Sequence, residues 1–129
     1  MAAADLFLDT HAVVWLYAKL TSKFSSRGRE AIEQSQLLIS PLVMLELEYL
    51  FEVDQISVNA MTILDYLERR IDLRVDEAVK LTHLFVTSLQ EKWTRDPFDR
   101  LIVSHAKIKS AQLLSQDKAI RKHYPKAFW

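Results

Sequence analysis

The chain has 129 residues, half of them hydrophobic and about a quarter charged, with 17 basic and 17 acidic side chains and a single glycine. This is the composition of one globular domain, 1–129, and it leaves no room for a linker, a repeat array or a low-complexity tract. The absence of cysteine excludes a disulfide framework and a thiolate site. No stretch approaches the roughly 18 to 20 apolar residues of a membrane span, so no membrane partner is expected. Met1–Asp5 lacks the basic region of a signal peptide, and a cytoplasmic location is expected.

Leu6-Phe7-Leu8 reads as a short buried strand ending at Asp9-Thr10, followed by a helical pattern over Ala12–Ala18. Ser25 or Ser26 can cap a second helix through about Gln34, and Leu37-Leu38-Ile39 reads as another buried strand. Ser40-Pro41 is a cap followed by a proline at the first helical position, and that helix runs to about Glu52. Ser57–Arg70 reads as an amphipathic helix with Val58, Met61, Leu64 and Leu67 in register. The alternation over Ile71–Val75 predicts a strand, and Asp76 to about Gln90 returns to helix. Asp96-Pro97 repeats the cap-and-proline start for a helix whose apolar arc holds Phe98, Leu101, Ile102, Val103, Ala106 and Ile108. Arg100, Ser104 and Lys107 face the other way. Ala111–Ser115 is a last strand, with a short helix from about Asp117 to Lys122. Apolar strands alternating with helices predict an α/β fold with a mainly parallel sheet covered on both faces.

Some acids fall where this pattern does not want them. At about 100° per residue, Asp99 lies inside the apolar arc of its helix, between Val103 and Ala106. Glu46 lies among Leu42, Tyr49, Leu50 and Val53, whereas Glu48 and Glu52 share an ordinary solvated face. Asp9 and Asp117 each follow a predicted strand at its carboxyl end, where open α/β sheets build their sites. Each has a plainer reading as a cap, a turn residue or a paired core acid, and Asp96 is most economically an N-cap. Together the four are candidates for one cleft.

Unpaired acids in one cleft repel one another, and a divalent cation relieves that conflict. Oxygen-only ligation, with no cysteine and no clustered histidine, favours Mg²⁺ or Mn²⁺ over Zn²⁺. Such an ion serves phosphoryl-transfer chemistry. Charge distribution fits a polyanion: Lys92–Trp129 holds nine basic residues (92, 95, 100, 107, 109, 118, 121, 122, 126) against Asp96, Asp99 and Asp117. A solvated basic surface accounts equally well for the same imbalance.

Four blocks, in order and spanning nearly the whole chain, resemble the PIN-domain nucleases, specifically the VapC-type toxins of toxin–antitoxin pairs. They are Leu8-Asp9-Thr10-His11 with Trp15-Leu16, Ile39-Ser40 leading to Glu46, Arg95-Asp96-Pro97-Phe98-Asp99-Arg100-Leu101-Ile102-Val103, and Leu113-Leu114-Ser115-Gln116-Asp117. The resemblance implies a three-layer α/β/α sandwich and a single PIN domain. It matches Asp9, Glu46, Asp99 and Asp117 to an acidic quartet that holds Mg²⁺ or Mn²⁺, with Asp96 as a further acid and Thr10 and Ser115 in support. It implies a metal-dependent endoribonuclease acting on single-stranded regions of RNA, a homodimer, and silencing by a cognate VapB-like antitoxin. Leu45 stands where many relatives carry an aromatic, and Pro41 opens its helix; neither is a ligand position.

His11 reads as a packing or hydrogen-bonding residue near the site, and Trp15 and Phe51 as core. Arg95, Arg100, Lys118 and Arg121 are candidates for RNA phosphate contacts. Two other readings compete: a non-catalytic RNA-binding or scaffold PIN module, and a different phosphoesterase. The absence of an Asp-x-Asp-x-Thr motif after the first strand weighs against the second.

Overall fold

The computed structural model describes residues 3–129; Met1 and Ala2, where the signal-peptide reading begins, lie outside them. Among the described residues, β1 (Asp5–Leu8), β2 (Gln36–Ile39), β3 (Arg74–Val75), β4 (Gln112–Leu114) and β5 (Ala127–Phe128) form one sheet in the order β3-β2-β1-β4-β5. Every pairing is parallel. The connecting helices are α1 (Thr10–Tyr17), α2 (Ser26–Gln34), α3 (Pro41–Glu52), α4 (Ala60–Ile71), α5 (Leu81–Ser88), α6 (Pro97–Ile108) and α7 (Lys118–His123). The result is the expected three-layer α/β/α sandwich, and the apolar runs of β1, β2 and β4 are buried as a covered parallel sheet requires. From β1 the chain builds outward through β2 and β3, then returns to add β4 and β5 on the other side. The β1–β4 boundary is therefore the point where strand order reverses and a crevice opens at the carboxyl ends.

Caps set the helix starts. Asp9, Ser25, Ser40, Asn59, Asp96 and Asp117 each accept from backbone N–H groups in the first turn of the helix they precede. The helix expected from Ser57 thus starts at Ala60, where Asn59 caps it. Its buried face is Ala60, Ile63, Leu64 and Leu67, while Met61 is exposed. Glu48 is half-buried rather than solvated, and accepts from the Ala60 amide.

Besides β5, which the sequence pattern does not announce, two regions differ from it. Of Ile71–Val75 only Arg74–Val75 is strand, and the helix expected from Asp76 begins at Leu81. Asp76 instead extends the ladder, donating its amide to the Ile39 carbonyl. Its carboxylate lies 2.8 Å from His105 Nε2, with both side chains buried. The second difference is Ser104, which is fully buried instead of outward-facing. Residues 101–106 of α6 are buried without a break, because α6 packs on the sheet, α3 and α5 together. Burial on all sides removes the helical periodicity a wheel depends on.

The single glycine leaves left-handed positions to other residues: Lys19, Asp54, Asp72 and Ser110 all have φ between 52° and 62°. Ser110→Gly is expected to stabilise the fold by about 0.5–1 kcal/mol, because glycine adopts this conformation without a Cβ penalty. Chemical denaturation checks this through the midpoint. Asp76→Ala leaves His105 buried without its partner and is expected to cost about 2–3 kcal/mol in the same measurement.

Candidate functional site

A cleft of about 460 Å³ opens beside the strand-order reversal and is lined by Asp9, His11, Trp15, Glu46, Asp96, Asp99, Gln116 and Asp117. All five acids singled out in the sequence therefore reach one cavity, delivered by separate elements. Asp9 follows β1 as the N-cap of α1, and Asp117 follows β4 as the N-cap of α7. Asp96 caps α6, with Asp99 in its first turn. Glu46 comes from the middle of α3. Three helix N-termini thus point toward the acids, and their dipoles offset part of the negative charge.

Two buried hydroxyls fix the geometry. Thr10 donates its side-chain hydroxyl to Glu46, and its amide to Asp9 Oδ1 at 2.8 Å. Ser115 donates to Asp9 Oδ2 at 2.6 Å and accepts from the Asp117 amide at 3.1 Å, tying the ends of β1 and β4 together. Both are inaccessible to solvent.

Asp99 carries the electrostatic load. Burial, then the charges of Asp96, Asp9, Asp117 and Glu46, push its carboxyl from an ordinary 3.8 to about 7. Asp9 is raised chiefly by burial, against the bonds from Ser115 and Thr10. Glu46 is also raised by burial first and by Asp9 and Asp96 in addition, against the Thr10 bond.

The donor set fits a hard divalent cation: carboxylate oxygens dominate, with no sulfur. Within the described hydrogen bonds, Glu46 Oε2, Asp96 Oδ2, Asp117 Oδ2 and both Asp99 oxygens are unengaged. As the side chains lie, no three acids among the described residues are gathered closely enough to share one ion. Ligation would draw the unengaged oxygens inward, against the repulsion already evident at Asp99.

The basic candidates stand apart, since none of Arg95, Arg100, Lys118 and Arg121 lines the cleft. Arg100 Nε donates to the Thr94 carbonyl, Arg95 to that of Lys92, and Arg121 to that of Gln116. The last bond braces the loop before Asp117. Conversely, Trp15, read as core from the sequence, is a half-buried cleft residue, and Gln116 joins the lining without any local signal of its own. The face of α3 around Glu46 is not core either: Tyr49 is 50% and Val53 43% exposed. With α3 apolar nearly all round, its periodicity does not separate a cleft face from a core face. His11 and Trp15 lie four residues apart on α1, the spacing of one helix face, and that is the signal that could have found Trp15.

A carboxylate-lined cleft at the strand-order reversal of a parallel α/β domain lies where open sheets of this class place their ligand sites. The model of the PIN domain family matches residues 6–125, and the chain belongs to that family. Its fold is similar to that in VapBC2 from Rickettsia felis bound to a DNA fragment from its promoter (19% identity, 96% of each chain, TM-score 0.65). A DNA-bound VapBC from Salmonella typhimurium is similar over 96% of this chain and 95% of that one (17% identity, TM-score 0.65). So is a toxin–antitoxin complex from Klebsiella pneumoniae (12% identity, 96% of each chain, TM-score 0.64). Comparison with curated proteins gives no match.

A carboxyl raised in the fold stabilises it below the unfolded value and loses that contribution as pH rises through the folded value. For Asp99 the window runs from about 4 to about 7. Asp99→Asn is therefore expected to melt higher than wild type at pH 8 without metal, by about 1 kcal/mol after solvent screening, or a few degrees. The difference should shrink toward pH 5. Thermal melts of both proteins across this range provide the check, and a pH-independent difference contradicts the assignment.

Proposed function

We propose that this PIN domain is a Mg²⁺- or Mn²⁺-dependent endoribonuclease that cuts single-stranded regions of RNA, as the toxin of a toxin–antitoxin pair. The observation that carries the reading is the convergence of Asp9, Glu46, Asp99 and Asp117, from four separate places in the chain, on one cleft. These four, with Asp96 beside them, would hold the ion, and Thr10 and Ser115 would keep Glu46, Asp9 and Asp117 in place. The bound cation would supply charge neutralisation at the scissile phosphate and acidify a water. Arg95 and Lys118 are exposed and adjoin Asp96 and Asp117 in sequence, which suits them to flanking phosphates.

Partners follow from the same reading. A second, largely apolar cavity of about 480 Å³, lined in part by Val14, Tyr17, Ile56, Val58 and Ile63, offers a seat for a segment of a VapB-like antitoxin. The α5 face bearing Leu81, Phe85, Val86 and Leu89 is exposed and uncharged, as an interface between two copies would be. Among the described residues no helix is long and apolar enough to cross a membrane. A cytoplasmic location is part of this proposal, consistent with an RNA substrate.

The test is digestion of total cellular RNA with Mg²⁺ or Mn²⁺, with EDTA, and with Asp99→Asn. The expected result is a set of discrete cuts that disappear with EDTA and fall at least a hundred-fold in the variant, as loss of a preorganised charge-stabilising group would give. Metal binding without cleavage of any RNA favours the non-catalytic RNA-binding module. Equal cleavage by wild type and variant assigns the activity to a contaminant.

A further inference from the structure

The acids account for only part of the cleft. Its other lining residues are His11, Trp15 and Gln116, and it contains no lysine or arginine. Its lining offers a phosphate no lysine or arginine, and the Lys23 ammonium stands beside it over the Trp15 ring, so whatever the carboxylates do through a metal, much of the protein's own grip on a substrate here has to be made with rings and one amide.

Those rings are arranged for it. Asp9 caps α1, and His11 and Trp15 follow on one face of that helix, their ring centres 5.8 Å apart and inclined at 48°. His11 is exposed. Trp15 is held from behind, edge-on to Trp129 at 5.4 Å and to Phe24 at 6.4 Å, and those two rings stack on each other at 4.8 Å. Trp129 is itself anchored by its indole N–H on the Lys23 carbonyl and by Ser25 on its own carbonyl. The Trp15 ring is therefore a wall braced by other rings, with the Lys23 ammonium over one of its faces, 5.6 Å from the centre. A flat aromatic surface beside a phosphodiester site, backed so that it does not have to be ordered on binding, suits a nucleobase.

We propose that the His11–Trp15 wall is a base-stacking subsite, which positions one unpaired nucleobase of a single-stranded RNA while its phosphate lies among the carboxylates. This rests on the endoribonuclease reading and adds to it a positioning role for residues outside the acidic set. A stacked base has to leave its helix, so the subsite also supplies a reason to select unpaired RNA. Gln116, with both a donor and an acceptor, is available to the edge of that base.

The test compares a short fluorescently labelled oligouridylate with the matching abasic ribose-phosphate oligomer. Binding is read by anisotropy in Ca²⁺, so that nothing depends on turnover. Wild type is expected to bind the base-bearing oligomer roughly ten-fold more tightly, the value of one stacked base. His11→Ala, an exposed change, and Trp15→Leu should each remove most of that preference and leave abasic binding unchanged. Trp15→Phe keeps a ring and should retain most of it, which separates stacking from damage to the Trp129 packing. Equal affinity of wild type for the two oligomers overturns the subsite while leaving RNA binding intact. Binding of neither oligomer defeats the endoribonuclease reading, and the subsite falls with it.

Discussion

Negative charge held in a half-buried space is the constraint to which the surrounding structure answers, because each carboxylate in the cleft raises the cost of ionising the next. Asp99 shows the combined effect, its carboxyl standing near 7 through burial first and the charges of four other acids in addition. The fold tolerates the arrangement by several means at once. Helix N-termini face the acids, Ser115 bridges the Asp9 carboxylate to the Asp117 backbone, and Thr10 holds Glu46 away from free motion. These bonds keep the carboxylates near one another where repulsion alone would turn them outward toward water.

Holding acids together requires a frame that does not yield, and α6 supplies much of it. It carries Asp96 and Asp99 at its exposed end and six consecutive buried residues behind them. The His105–Asp76 bond fixes that buried length to the end of β3, on the sheet edge away from β5. His105 also packs against Phe7 of β1, with ring centres 5.1 Å apart. The strand that presents Asp9 and the helix that presents Asp99 are thus locked to one another through the core.

Much of this is legible in the residues. Short apolar runs ending in Asp9 and Ser115 announce buried parallel strands, and three serine or aspartate caps, two followed by proline, mark α2, α3 and α6 within a residue or so. Misplaced acids mark the cleft because a charge on an apolar arc is costly unless a partner or a cation meets it. What stays hidden has physical causes. Lys80 precedes α5 without a side-chain cap, so nothing local separates that helix from the extended stretch at Asp76. β5 is two residues long and exists only by pairing with β4, an interaction that leaves no local pattern. Trp15 looks like core because it packs on Phe24 and Trp129, and its place in the cleft lining is a matter of tertiary arrangement.

The sheet order has a consequence for biosynthesis. Asp9 leaves the ribosome more than a hundred residues ahead of Asp117, yet the two flank a crevice that exists only when β4 has paired with β1. A growing chain can assemble β1, β2 and β3 with their helices while one wall of the cleft is still unmade. A chain that stops short of β4 already carries Asp9, Glu46, Asp96 and Asp99 but lacks Asp117 and the strand that closes the crevice, so the acid set is complete only once the last part of the sheet is in place.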